Sequence, residues 1–428
     1  MEDVSNLDPM LIGKATSEGK SEGKSKGKSE GKSKSKSEGK SEGKSEGKSE
    51  GKSKSKSSTS HDIVISDIKN TEEKIEETKE LKEIVSLMKK YGVSDPTSLL
   101  PKSSRYTLAF KMSNTFAGFA NAIRRTLISE LPVICLDFTE SDYETDDEFM
   151  LVDIVRKNIN LIPISQEINE EKVASYYIYL DKYNDTNDII DIKASDIKIS
   201  IKNPFPGKKS ENKTDTKTLS LDMLIPDSNI TLLRLRPNKF LRLKSLTIIK
   251  GCCKEDAAKF TLLDEVTYSP VGMTPYDNFR YTGDRSSTVD PTEFECSFTT
   301  SGNISTGKVV NLLCDCLKNK LENANKKIQT YSSSNQEKEY YLSDNFEVDI
   351  SEDIKTYKFH GEYITLSYML AQQCYNIDPN ILFCAPSIYR YDSEIAIIRL
   401  KHPDTNGLLL KAIEMCLKNI EIVRAALT

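Results

Sequence analysis

Ser113–Pro132, SNTFAGFANAIRRTLISELP, is the stretch whose reading decides the fold. It reads as one helix with a stop. Ser113 and Asn114 suit the N-cap, because their side-chain oxygens can accept hydrogen bonds from first-turn amides that lack helical partners. Phe116, Phe119, Ala120, Ile123, Leu127 and Leu131 recur at helical spacing and form one apolar stripe. Pro132 cannot continue the helix and biases Leu131 away from helical angles. Arg124 and Arg125 are adjacent, so they point about 100° apart and at least one faces solvent or a partner. Spacing alone leaves open a solvated pair on an ordinary core helix and a docking pair.

On either side, Tyr106–Phe110 and Val133–Glu140 read as strands. The helix supplies Asn121, Ala122, Ile123, Arg124, Arg125, Leu127, Glu130 and Pro132, and NINLIPI follows at Asn158–Ile164. This combination resembles the alpha-like subunits of multisubunit DNA-directed RNA polymerases: the bacterial alpha type, the archaeal D type and the third-largest eukaryotic subunits. The family pattern is close to N-A-L-R-R-x-L-x-x-E-x-P, followed by R-L-G-L-I-P. Here Asn158 and Asn160 replace the arginine and glycine of the second block, while Leu161, Ile162 and Pro163 remain. Lys250–Phe260, KGCCKEDAAKF, resembles the family's G-x-x-K-E-H-A-K-[FW] stretch, with Asp256 nearest the usual histidine. Ser269-Pro270-Val271 and Tyr276 resemble its continuation. In the family this region lies where the alpha-like pair meets the second-largest subunit.

Phe294–Ser301 then alternates as a strand, and Thr306–Ile328 reads as a long amphipathic helix. Tyr331–Asn345, YSSSNQEKEYYLSDN, is polar and reads as a linker. After it come expected strands at Phe346–Ile350 and Thr356–Phe359, a helix at Thr365–Gln373, strands at Ile381–Cys384 and Glu394–Leu400, and a helix over Asn406–Leu427. This second half resembles the small partner of the same pair, the archaeal L type and the eleventh-subunit type of eukaryotic polymerases. Thr365, Leu366, Leu370, Asp378-Pro379-Asn380, Phe383 and the IAIIRL run at Ile395–Leu400 carry the likeness. The resemblance implies an α+β chain with two RNA polymerase alpha-like dimerisation domains fused in cis. The first, residues 105–138 and 251–330, is split by an insertion domain, 139–250. The second, 346–428, follows the linker, 331–345. A flexible linker of about 15 residues gives an effective concentration in the millimolar range when it spans the gap. Fused subunits of this sort are known in the family from large cytoplasmic DNA viruses, which implies an intracellular setting: host cytoplasm and virion if viral, otherwise nucleus or cytoplasm.

The remaining sequence adds limits. Residues 1–60 are expected to be a disordered tail built on a degenerate SEGK/SK repeat, too poor in apolar residues to offset ordering entropy. The tail is basic, while the whole chain carries a net charge of −5, so it suits either solubilisation or a salt-sensitive contact with nucleic acid. Residues 61–104 read as an extension with one helix, Asn70–Tyr91, capped by Asn70 with Glu73 and ended by Gly92. Asp142–Glu148, DYETDDE, is an acidic run without calcium-loop spacing, expected to be a solvated loop. Val173–Leu180 and Ile197–Ile201 read as strands and Asn203–Thr218 as a loop. Nine cysteines occur with no CxxC pair, and the insertion has no cysteine, so no metal or other cofactor is expected. His61, His360 and His402 fall in no ligand pattern, and no P-loop, GxSxG or HExxH occurs, so no catalytic residue is expected.

The resemblance therefore implies a noncatalytic assembly subunit of DNA-directed RNA polymerase. Its partners would be the largest and second-largest subunits, with template DNA and nascent RNA reached only through the complex and no membrane. Phe116, Phe119, Ile123, Leu127, Leu366 and Leu370 are the expected pairing surface. Arg124 and Arg125 are the expected contacts to the large subunits, since guanidinium groups make paired bonds to carboxylates and backbone oxygens. The alternative is a free-standing nucleic-acid-binding protein acting through its basic tail.

Overall fold

The structure, a computed structural model, describes residues 62–74, 79–93, 96, 104–205, 219–272, 291–334, 340–343, 345–388 and 394–428. The repeat tail, His61, most of the expected 203–218 loop, Tyr276 and residues 335–339 and 344 of the expected linker lie outside them.

The chain runs β1 (Val64–Lys74), α1 (Lys79–Lys90), β2 (Ser104–Ser113), α2 (Ala117–Ser129), β3 (Pro132–Asp137) and β4 (Tyr143–Thr145). Next come α3 (Val152–Asn160), α4 (Glu170–Val173), β5 (Tyr177–Tyr183), β6 (Ile190–Lys193), β7 (Ile197–Ser200), α5 (Leu221–Leu224), β8 (Thr231–Leu235) and β9 (Phe240–Cys252). It ends with β10 (Leu263–Pro270), β11 (Glu293–Thr300), α6 (Thr306–Ser333), β12 (Tyr340–Ser343), β13 (Phe346–Ser351), β14 (Ile354–His360), α7 (Ile364–Ile377), β15 (Phe383–Ile388), β16 (Ile395–Lys401) and α8 (Thr405–Leu427). The class is mixed α+β, and the strand pairs are antiparallel.

Two sheets share one topology. The first has the order β1-β2-β11-β10 and the second β12-β13-β14-β16-β15. Without the extra edge strand β12, the orders correspond strand for strand. A helix follows the second strand of each (α2, α7) and another follows the last (α6, α8). The correspondence holds residue by residue. Phe116 and Tyr363 are the N-cap residues of α2 and α7. Two residues earlier, Asn114 (φ 57°) and Gly361 (φ 79°) both take left-handed angles, tolerated best by glycine and asparagine. Phe119 matches Leu366, Ile123 matches Leu370, and Pro132 matches Pro379. On the long helices, Val309, Val310, Leu313, Cys314, Leu317 and Leu321 are buried with the same spacing as Leu408, Leu409, Ala412, Ile413, Cys416 and Ile420. Each helix packs on its own counterpart, α2 on α7 and α6 on α8. One continuous apolar core results, drawn from both halves.

Between α2 and β10 the chain builds a second core. Strand β3 joins the two cores by its alternation. Val133 and Cys135 point into the first, and Ile134 and Leu136 into the second, as the two-residue period of a strand requires. Strand β9 pairs β3 near one end and β5 near the other. Strands β3, β9, β5 and β7 form this sheet, with β4 also paired to β9, and α3 covers β3 with Val155 and Ile159.

Several local expectations are overturned. Asn70–Lys74 is strand, not helix, because the edge of β2 offers β1 a ladder from Val64 to Lys74; among the described residues the helix is Lys79–Lys90. A tertiary edge here outweighs a weak local preference. Asn70 forms no capping box and donates to Thr306 Oγ1 at 3.3 Å. Ser113 ends β2 and Asn114 turns the chain, so neither caps α2. Val173 lies in α4 ahead of its expected strand. The long helix runs past Ile328 to Ser333, and Tyr340–Ser343 forms β12, so much of the expected linker is packed structure. Tyr331 causes this. It is buried among Tyr341, Tyr357 and Phe346, with ring centroids 5.1, 6.4 and 6.5 Å away.

Candidate pairing and docking site

The helix crossing is built on a glycine. A Cβ at Gly118 would stand 2.9 Å from Gln372 Oε1 and 3.2 Å from the Tyr368 carbonyl oxygen, so α2 and α7 meet backbone to backbone there. Gly118 N–H donates to Gln372 Oε1 at 2.8 Å. This replaces the missing local cap, for Phe116 has no side-chain oxygen to accept a first-turn amide. The second half thus caps the helix of the first.

Phe116, Phe119, Ile123 and Leu127 are buried on α2, as are Leu366 and Leu370 on α7. All six belong to the shared core. Arg124 and Arg125 are half-buried and diverge. Arg124 leans on the first sheet, its guanidinium carbon 5.9 Å from the Tyr268 ring centroid. Among the described residues, no carboxylate pairs with Arg125. The corresponding positions on α7 are Ala371 and Gln372, so one half alone carries this basic pair.

Beneath the crossing lies a polar cluster that the sequence reading missed. Lys320 of α6 sits 2.9 Å from Glu130 Oε1, at the end of α2, and 3.2 Å from Glu362 Oε2, just before α7. Burial opposes the charge of Lys320, but the two carboxylates outweigh it and raise its pKa above the ordinary lysine value. Glu362 Oε2 is buried and receives no well-directed hydrogen bond, so this ammonium is its compensation. No local motif announces such a cluster, because its members are far apart in sequence.

The KGCCKEDAAKF segment lies at the same junction. Gly251 admits the Phe260 ring, which a Cβ there would overlap. Lys254 N–H donates to the Ser129 carbonyl at 3.0 Å. Its ammonium sits 3.5 Å from the Tyr363 ring centroid and 3.8 Å from Glu394 Oε1. Burial, with Glu394 accepting its hydroxyl, pushes Tyr363 up to about 12. Asn158 and Asn160 serve as tethers: their amides donate to the carbonyls of Leu232 and Leu136 at 2.9 and 2.7 Å.

The acidic run is fastened down rather than freely solvated. Asp147 is buried against Arg236, Glu144 pairs with Lys244 and Arg242, and Asp146 lies 3.8 Å from Lys239. Among the described residues no group of three or more His, Cys, Asp or Glu is placed to hold a metal ion. His360 pairs with Glu347 and His402 with Asp378. No described helix is long and apolar enough to cross a membrane. Comparison with models of known protein families and with curated proteins gives no match.

Proposed function

We propose that this chain is a noncatalytic assembly platform of DNA-directed RNA polymerase, in which two alpha-like halves pair within one polypeptide and dock the two largest subunits. The observation that carries the reading is the paired repeat: two α+β halves of equal topology, each helix packed on its counterpart, the first interrupted by a separate core. It adds to the resemblance carried by Asn121–Pro132, by Lys250–Phe260 and by Thr365–Asn380. A platform must tell two large partners apart, and the basic pair on one half gives the paired body a polarity. Arg125 is the contact residue of first choice, because it has no carboxylate partner among the described residues. Arg124 contributes from its seat on Tyr268.

The test is affinity purification of the tagged chain from its native source. Two very large polypeptides in near-equal amounts, with RNA synthesis in the eluate, are expected. Arg124→Ala with Arg125→Ala is expected to keep the circular dichroism of the wild type and to lose at least tenfold in recovery of the large polypeptides. Undiminished recovery removes the arginines from the docking role. A chain recovered alone or only with nucleic acid removes the platform reading.

A further inference from the structure

The halves match in topology and in apolar pattern but not in charge at their contact. Helices α6 and α8 run antiparallel: Asp315 meets Arg424 at 2.6 Å, and three residues later Lys318 meets Glu421 at 3.0 Å. That register sets Lys320 opposite Asn419. Asn419 is also the counterpart of Lys320 in the repeat, as the matching burial of the two helices fixes. Lys320 therefore stands beside the pseudo-twofold axis. It joins Glu130 of the first half to Glu362 of the second. The counterparts of these two acids are Ile377 and Thr115, so the symmetry-related place holds no charge.

We propose that Lys320, with Glu130 and Glu362, is the determinant that makes the first half pair with the second and not with another copy of itself. Two first halves joined the same way would set two lysines face to face across the axis, each keeping its own Glu130 but meeting Thr115 where Glu362 stands. Two second halves would leave each Glu362 against Asn419 with no cation. A repeated like charge and a buried, unpaired carboxylate both penalise the wrong pair. The apolar stripes share one spacing in both halves, whereas the charge beside the axis differs between them. Fixing register and oligomeric state is the best-attested use of a single buried polar residue. The inference stands on the packing of the halves and is independent of the polymerase reading.

The test uses the whole chain with a protease site placed at 335–339, cleaved after folding. The cleaved protein is unfolded in urea, refolded, and weighed by native mass spectrometry. The wild type is expected to give mixed pairs. The variant Lys320→Asn, Glu130→Ile, Glu362→Thr gives each position its counterpart's residue and leaves no buried charge. It is expected to raise the ratio of homotypic to mixed pairs at least tenfold. Exclusive mixed pairing by this variant overturns the proposal. A second arm covers a failure to refold. In the uncut chain, Asn419→Lys imposes the like-charge contact of the wrong pair and is expected to lower the urea midpoint, while Asn419→Gln leaves it in place. Equal midpoints for these two overturn the proposal as well. Neither arm reads recruitment of other proteins, so its outcome is separate from that of the platform test.

Discussion

Asp147 is a buried carboxylate held by Arg236 Nη2 at 2.7 Å, Arg236 Nε at 3.0 Å and the Phe149 amide at 3.1 Å. Arg236 first, and then the Phe149 amide, hold its pKa below the ordinary aspartate value. Lys244 does the same for Glu144, Ser305 for Glu167 and Lys358 for Glu347. Each of these acids has a folded pKa below its unfolded one. Its contribution to stability is complete above the unfolded value and is lost as pH falls through the folded value. Thermal midpoints are therefore expected to hold at neutral pH and to drop once the pH passes below about 4. Arg236→Met is expected to lower the urea midpoint at pH 7, because it leaves the Asp147 carboxylate buried without its guanidinium. It should also shrink the acid dependence, which urea titrations at pH 7 and at steps well below pH 4 will read. The thiols make a second test at this scale. Burial pushes Cys296 and Cys416 up to about 12, and Cys135, Cys314 and Cys316 up to about 11. Cys374 is raised too, through its hydrogen bond with the Cys384 thiol and its burial. In native protein at pH 8 a colorimetric disulfide reagent is expected to titrate Cys253 first, Cys252 more slowly because burial raises that thiol too, and the buried thiols only after denaturation.

At the scale of elements, two helices take their N-terminal caps from distant chain. Helix α2 has Gln372, and the amide and hydroxyl of Ser305 before α6 both donate to Glu167, at 3.0 and 2.7 Å. Glu167 lies between α3 and α4, so the insertion holds the entry of the first half's longest helix. Glu167→Ala is expected to cost about 1 kcal/mol at neutral pH, the usual worth of a cap, and nothing further once the carboxyl is protonated. Chemical denaturation at two pH values will check this. Gly118→Val tests the crossing. The added methyl groups meet Gln372 and the Tyr368 backbone, and overpacking of this kind costs about 1–3 kcal/mol. The loss should appear in the denaturation midpoint and as faster hydrogen exchange in α7, the helix that was not mutated.

For the molecule as a whole, the shared core makes the halves interdependent, whereas the insertion has a core of its own. Leu370→Ala in the second half removes a fully buried side chain. It is expected to cost about 2–5 kcal/mol, the transfer and cavity terms together. Hydrogen exchange by mass spectrometry should then show protection falling together in β2, α2 and α7, with β5 and β7 least affected. Loss confined to the second half would contradict a single cooperative core.

The amino-acid sequence by itself determined what short-range periodicity carries. The apolar stripe of Phe119, Ile123 and Leu127, the stop at Pro132, the strand at Phe294–Ser301 and the long helices all follow from which side chains share a face. Tertiary structure decided what depends on remote partners. Asn70–Lys74 became a strand because β2 offered an unpaired edge. Ser113 and Asn114 lost the cap because the chain turns there and Gln372 of the other half takes its place. Much of Tyr331–Asn345 became packed structure because three tyrosines found Phe346. The Lys320 cluster and the equal strand orders were hidden for the same reason. Apolar patterning reports the face a residue shows its own element, while pairing, capping and charge compensation are set by groups far along the chain that folding alone brings within reach.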